Sequence, residues 1–145
     1  MNWKFNNKIN NQELNFKDGK YIGEIVNELA EGKGIFYGFN GNRYDGDYRN
    51  SKREGKWIFY YRTNEDNRYE GEWRNDKKEG KGIYYWNNGD IYEGDWINDK
   101  SEGKGIYYFS NGDKRMGDFL NGKEKGKHVK LTRNLEIQIE NLRFK

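Results

Sequence analysis

The side chains able to perform acid–base, nucleophilic or metal chemistry are scarce in this sequence. Its 145 residues include one histidine, His128, and no cysteine. A single imidazole with no second histidine or thiol to join it is a weak basis for a metal centre or a nucleophilic catalyst. His128 also stands where comparable segments of the chain have glycine, so we interpret it as a structural substitution.

Acidic side chains occur in pairs, such as Glu70 with Glu72 and Glu93 with Asp95. A glycosidase needs two carboxyl groups in unlike environments, so that one is protonated while the other is ionised. These pairs occupy equivalent positions of a repeated segment, so their environments are alike. The glycine-lysine-glycine segments lack both the spacing of a phosphate-binding loop and the helix that follows one. We therefore expect a protein that is not an enzyme and that uses no cofactor and no metal ion.

The pairs recur because the whole sequence is repetitive. Residues 69–91, YEGEWRNDKKEGKGIYYWNNGDI, are followed directly by YEGDWINDKSEGKGIYYFSNGDK. Five segments align on this pattern at steps of 23, 25, 23 and 23 residues, and they begin at Tyr21, Tyr44, Tyr69, Tyr92 and Arg115. A period of this length is typical of arrays in which each repeat is one supersecondary unit that contacts only its neighbours.

We predict a single repeat domain over residues 1–145. Its parts are an N-terminal half-unit at 13–20, units one to five at 21–43, 44–68, 69–91, 92–114 and 115–137, and a C-terminal cap at 132–145. The C-terminal segment is ambiguous, because its apolar residues fit both the alternation of a strand and the stripe of a helix. The register of the repeat, in which Leu135 replaces the glycine of a turn, favours a strand to about residue 139.

Each unit is predicted to be a β-hairpin. Tyr69, Gly71 and Trp73 alternate with two glutamates, which is the period of a strand with two different faces. A polar turn, NDKKEG, leads to a second strand, KGIYYW, and NNGD is predicted to be the tight turn because it contains Asn-Gly. Successive hairpins predict an all-β fold: an elongated single-layer antiparallel meander of about 11–12 strands.

One face of this sheet is predicted to alternate aromatic rings with glycine. The chain has 19 glycines and is 17% aromatic, so its core should consist of rings. The residues of unit three that alternation assigns to this face on its two strands are Tyr69, Gly71, Trp73, Gly80, Gly82, Tyr84 and Trp86. A glycine lets a ring from the neighbouring strand lie over bare backbone. The opposite face would carry Lys81 and the two glutamates as cross-strand ion pairs.

The combination of YEGEW, GKG and GD at a 23-residue step resembles the MORN (membrane occupation and recognition nexus) repeat over about residues 15–131. The resemblance implies an elongated, twisted sheet with a groove, and a role as a scaffold at membranes, in cilia or on the cytoskeleton. Ile25, Trp57, Arg115 and His128 depart from the pattern. We expect a non-catalytic protein-interaction scaffold in the cytoplasm, at the cytoskeleton, a cilium or the cytoplasmic face of a membrane.

The groove is the predicted binding surface, because tyrosine and tryptophan dominate the energetics of protein interfaces. We expect it to take a helix or a loop of a protein partner. The candidate groove residues are Tyr44, Tyr48, Trp57, Tyr69, Trp73, Tyr84, Trp86, Tyr92, Trp96, Tyr107 and Phe109. The alternative is that these rings pack only on one another as the core.

A second function class is a peripheral membrane module that binds acidic phospholipid head groups. The candidate contacts are the basic residues of successive first turns, namely Lys52, Arg53, Lys77, Lys78 and Lys100, although acidic residues in the same turns oppose them. The 27 basic and 24 acidic residues are too balanced to predict a nucleic-acid partner. The unpaired edges of the terminal strands offer a route to a homodimer.

Overall fold

A computed structural model describes residues 12–62 and 67–142, which form one antiparallel sheet of twelve strands in chain order. The strands are β1 (Gln12–Phe16), β2 (Gly19–Val26), β3 (Leu29–Gly38), β4 (Arg43–Arg49), β5 (Lys52–Tyr61), β6 (Asn67–Arg74), β7 (Lys77–Tyr85), β8 (Ile91–Ile97), β9 (Lys100–Tyr108), β10 (Lys114–Leu120), β11 (Lys123–Leu131) and β12 (Ile137–Leu142). Strands spaced at about 4.8 Å make such a sheet roughly 50 Å across. The predicted all-β, single-layer meander is confirmed.

Two kinds of turn alternate along the chain, and the tighter one is not where the sequence predicted it. Asn75 and Asp76 have φ angles of 48° and 68° and join β6 to β7 as a two-residue turn. The Asn-Gly segment instead forms a wider loop, in which the Trp86 amide donates to the Asp90 carbonyl at 3.0 Å. Gly89, with a φ of 88°, supplies the left-handed residue that this loop needs.

A bulge follows each tight turn and gives one of the glycines a different role from the predicted one. In unit three the register between β6 and β7 shifts between Gly71 and Glu72. Gly80 lies opposite this shift with a φ of 63°, and a Cβ atom there would overlap the Glu72 carboxylate. Gly80 is therefore required by its backbone conformation, and its prediction as a place for a ring to lie is wrong.

The other two glycines do form the bare backbone under a ring. Gly71 and Gly82 pair with each other across β6 and β7, and a Cβ atom on either one would lie 2.5 Å from Cζ of Tyr69. Tyr69 is fully buried, and its hydroxyl donates to the Glu72 carbonyl at 3.2 Å, beside the bulge. The equivalent rings of units one, two and four are Tyr21, Tyr44 and Tyr92. Glycine thus makes room for the core of a sheet that has only one layer.

Side-chain hydrogen bonds join each repeat to the next at both ends of the strands. At the tight turns, Asp76 accepts the Arg53 amide at 2.9 Å and Asp99 accepts the Lys78 amide at 3.0 Å. At the wide loops, Asp90 accepts the Ser110 amide at 2.8 Å. These bonds fix each hairpin to its neighbour, so side chains at equivalent positions of successive units line up along the sheet.

The ambiguous C-terminal segment is a strand. β12 pairs with β11 from Ile137 to Leu142, three residues beyond the predicted end. Leu135 occupies the turn position of the repeat glycine and has a φ of 66°. The bonds of this loop, from Thr132 to Glu136, have the same pattern as those of the loop at 86–90.

Candidate binding groove

The rings of the aromatic face form two rows with different exposure. The first row is buried and contains six of the predicted groove residues: Tyr44, Tyr48, Tyr69, Trp73, Tyr92 and Trp96. None of the six is more than 7% exposed. They lie over glycine backbone or against each other edge to face, as Tyr69 and Trp96 do with centroids 5.1 Å apart. These six are core residues that form the floor of the groove, so the alternative of a core role applies to them.

The second row is half-buried and stays open to solvent along one side. Its rings follow one another at centroid distances of 5.7 Å from Tyr61 to Tyr84, 4.6 Å from Tyr84 to Trp86 and 5.3 Å from Trp86 to Tyr107. Phe109 continues the row 4.7 Å beyond Tyr107. Four of these five residues were predicted. Tyr61 was missed, although it stands at the position of Trp86 once the longer loop of unit two is allowed for.

Trp57 lies at the margin of the buried row. A Cβ atom added to Gly55 would lie 3.3 Å from Trp57 Nε1 and 3.2 Å from the Asp47 carboxylate, and Lys33 Nζ is 5.9 Å from the centroid of the Trp57 ring. Tyr44 already covers the bare backbone of this hairpin. Trp57, which replaces the second glycine, therefore has no such backbone to lie over.

A cavity of about 490 Å³ lies in the groove beside units three and four. Its walls include Tyr84, Trp86, Tyr107 and Phe109 of the second row. Ser101 and residues at the neighbouring tight turns also line it. Six of the eight predicted groove residues of units three and four, all except Tyr69 and Trp73, thus line one open site.

Two of the five predicted anionic-surface residues turn into the aromatic face instead. The guanidinium carbon of Arg53 lies 4.4 Å from the centroid of Trp73, and its Nε donates to Asp76 at 3.1 Å. Lys78 is 8% exposed. Its ammonium nitrogen lies 4.8–5.3 Å from four ring centroids, those of Tyr61, Tyr69, Tyr84 and Trp96. For these two residues the predicted exposed position is wrong, because β5 and β7 begin before them and strand alternation directs them inward.

The other three basic residues lie at the exposed ends of the hairpins. Lys52, Lys77 and Lys100 are all exposed. Lys77 Nζ donates to the Asn98 side chain at 2.9 Å, and Lys100 Nζ lies 3.5 Å from that of Asn121. Three separate cations among acidic turn residues form a weaker anionic-surface site than the five predicted.

This repeated arrangement of rings, glycines and turns has a counterpart among known sequence families. The MORN repeat model matches residues 21–43, 44–62, 69–91 and 92–114, more than half of the chain. The chain belongs to the MORN repeat family. MORN repeats are generally found in proteins that bind partners or associate with membranes. No curated protein matches the sequence.

The family match ends at residue 114, but the structure contains a fifth MORN hairpin with two residues exchanged between its strands. Arg115 takes the place of the ring-bearing tyrosine, and His128 takes the place of the second glycine. The His128 ring is fully buried, and a Cβ atom on Gly117 would lie 2.5 Å from its Cγ. His128 therefore fills the space that tyrosine fills elsewhere, which agrees with its prediction as a structural substitution.

The same exchange places an ion pair at the end of the groove. Arg115 Nη1 donates to both oxygens of Glu124 at 3.1 and 3.2 Å, and Arg115 Nε lies 2.7 Å from Glu140 Oε2. The guanidinium carbon is 5.0 Å from the centroid of Phe109. Sequence reasoning missed Arg115 and Glu124 as groove residues. The available signal was that both break the repeat in the same unit.

Residues 12–62 and 67–142 include no helix long and apolar enough to cross a membrane. In the same described segments, no three histidine, cysteine or acidic side chains lie together as a metal site.

Proposed function

We propose that this MORN array is a non-catalytic scaffold that binds a protein partner in the groove formed by the second row of rings. The observation that carries the proposal is the open stack of Tyr61, Tyr84, Trp86, Tyr107 and Phe109. Rings of this kind bury large areas at low entropic cost and provide the hot spots of protein interfaces. The second row has no covering layer within residues 12–62 and 67–142, since the sheet is single.

The placement of His128 supports a binding role over a catalytic one. Its ring is completely buried and is used to fill space, with Nδ1 3.4 Å from the Gly126 carbonyl. We place the scaffold in a cytoskeletal, ciliary or membrane-associated assembly, which are settings that the family resemblance suggests. Its partner would lie in the groove as a helix or a loop.

Two matched double variants test this function. Trp86→Ala with Phe109→Ala removes two rings of the groove, whereas Tyr85→Ala with Tyr108→Ala removes the neighbouring rings of the opposite face. Both pairs are half-buried, so their losses of stability should be comparable. Unfolding midpoints measured for each variant would establish that the fold is kept.

The binding experiment is affinity purification from the native source, with quantitative mass spectrometry of what each variant retains. The proposal expects a defined set of proteins to be lost with the groove variant and kept with the opposite-face variant. A third variant, with Lys52, Lys77 and Lys100 changed to Gln, should keep the same set. Loss of the partners with the charge variant alone, together with loss of binding to anionic liposomes, would favour the membrane function instead.

A further inference from the structure

The cation site of unit three has an open counterpart one repeat later. Lys78 lies among Tyr61, Tyr69, Tyr84 and Trp96. The residues at the equivalent positions of the next repeat are Ser101 in place of Lys78, and the rings Trp86, Tyr92, Tyr107 and Phe119. We refer to these four rings as the unit-four cage.

Two ring pairs of the unit-four cage have nearly the same spacing as their counterparts in the occupied cage. The pair Tyr61–Tyr84 has a centroid distance of 5.7 Å, and its counterpart Trp86–Tyr107 has one of 5.3 Å. Tyr69–Trp96 and Tyr92–Phe119 are at 5.1 and 4.7 Å. The frame that surrounds an ammonium group in unit three is therefore present around Ser101.

The serine side chain is too short to reach between these rings. The cavity of about 490 Å³ borders Ser101 and all four rings of the unit-four cage. At the same repeat position, unit one has the completely buried Ala30, and unit five has Glu124, which is paired with Arg115. A larger group can thus enter the aromatic face at unit four.

We propose that the unit-four cage binds the guanidinium group of an arginine carried by a partner protein. Arg53 shows the fit, because in unit two it occupies this same repeat position and lies 4.4–5.7 Å from the centroids of three rings. Ring faces attract cations, and guanidinium is weakly hydrated, stays charged and stacks on aromatic rings. The same cavity is also lined by two carboxylates, those of Asp99 and Glu124, and by the cations Lys78, Lys100 and Arg115.

The cations of the chain that border this cavity already have partners of their own. Lys78 lies in the cage of unit three. Arg115 is held between Glu124 and Glu140, and Lys100 is near the Asn121 side chain. An entering arginine therefore does not have to displace a cation from the unit-four cage.

The inference rests on the proposed scaffold function, since it names the residue by which a partner would be anchored. Trp86 and Tyr107 belong both to the cage and to the second row. A segment lying along that row would therefore pass directly over the opening beside Ser101.

The test uses the full chain and a small probe, so that no natural partner is needed. Acetyl-arginine amide is titrated at constant ionic strength, and acetyl-citrulline amide, which has nearly the same shape without the charge, is the control. The readout is the NMR signal of the Trp86 indole N–H, assigned by its loss in Trp86→Phe. The proposal expects a saturable shift with arginine and an affinity roughly 5-fold weaker for citrulline, as a cation–π contact gives.

Two variants assign the response to the cage. Ser101→Arg copies unit two and should fill the cage from within, which abolishes the shift while leaving the unfolding midpoint close to that of the wild type. Arg53→Ser should open the equivalent site of unit two, so that the Trp73 indole begins to respond to arginine. If Ser101→Arg does not fold, Trp86→Leu removes one wall and should weaken arginine binding at Tyr107, observed through its ring signals.

An equal response to arginine and citrulline, or an unchanged response in Ser101→Arg, would overturn the inference. So would a lack of any shift in the wild type. In each of these cases the scaffold function would still be supported if the partner proteins are lost with the double variant Trp86→Ala and Phe109→Ala. Self-association that depends on concentration and disappears in Ser101→Arg would assign the cage to a second copy of this chain and overturn the separate partner.

Discussion

Units three and five have the same hairpin but differ at three positions that belong together. In unit three, Tyr69 lies over Gly82, and Lys78 lies among rings. In unit five the corresponding residues are Arg115, His128 and Glu124. In unit five the ring comes from the second strand. A cation, Arg115, takes the place of the tyrosine, and a carboxylate, Glu124, takes the place of the lysine, and the two form an ion pair.

The difference shows which property of the repeat the fold requires. The space above the paired glycines must be filled by one ring, and either strand can supply it. The charge of the side chain that follows the tight turn must be compensated by its neighbours. Rings surround the Lys78 cation in unit three, and an ion pair compensates Glu124 in unit five. Substitutions that look like three independent losses in the sequence are therefore one compensated exchange in the structure.

The largest effect is expected from placing a side chain where unit three already has a ring. Gly82→Val should lower the free energy of unfolding by roughly 3 kcal/mol or more, because its Cβ overlaps the Tyr69 ring and overpacking of a close-packed site is costly. Lys81→Val, on the exposed face of the same strand, should change it by less than about 1 kcal/mol. Urea denaturation of both variants gives the comparison. Equal losses would mean that the ring does not depend on bare backbone.

A double-mutant cycle in unit five tests the exchange itself. Arg115→Tyr alone puts a second ring against His128 and should cost about 2 kcal/mol, and His128→Gly alone leaves a cavity and should cost about as much. The double variant restores a single ring above the paired glycines, as in unit three, although Glu124 remains in the place of Lys78, so it should lose clearly less than the sum of the two. Arg115→Ala in both backgrounds measures the loss of the ion pairs. Additive losses would contradict a shared space.

Much of this arrangement was predictable from the repeat. The alternation of Tyr69, Gly71 and Trp73 predicts a strand with a ring face, and the 23-residue period predicts neighbours that stack. These features follow from local periodicity, which a sequence displays directly.

The remainder depends on backbone conformation and on pairs of positions. Gly80 and Gly82 have the same parity, but only Gly80 has a left-handed φ, so counting parity gives both the same role. Lys78 reads as part of a polar turn, whereas the tight turn is two residues long and Lys78 is already in β7. Burial of the first row follows from stacking of neighbouring hairpins, so no single unit reveals which of its rings remain open.

A smaller effect on stability, dependent on pH, is expected from Lys78, the cation of unit three that Glu124 replaces in unit five. Burial lowers the pKa of Lys78 to about 8, and the charge of Asp99 opposes the shift. The unfolded chain then holds this proton more tightly, so the cost of the buried charge is fully present below pH 8 and is relieved as the pH rises toward 10.5. The Lys78 contribution to stability should rise by about 1 kcal/mol from pH 7 to about pH 9, where the tyrosines of the unfolded chain, with a pKa near 10, are still mostly protonated. Lys78→Met should abolish the rise, and a rise that persists in that variant would assign it to other groups.

The smallest effect concerns the bond that attaches the last repeat to unit four. The Arg133 amide donates to Asp113 at 2.9 Å and lowers the pKa of this carboxyl group, helped by Lys130 Nζ at 3.2 Å. A carboxyl whose pKa is lower in the folded state stabilises the fold above its unfolded pKa of about 3.9, and this contribution is lost as the pH falls through the folded value. Asp113→Asn keeps an acceptor for the Arg133 amide but does not titrate. Between pH 5 and pH 3 the urea midpoint of the wild type should therefore fall further than that of Asp113→Asn. Equal decreases would show that the ionised carboxylate does not help to hold unit five in place.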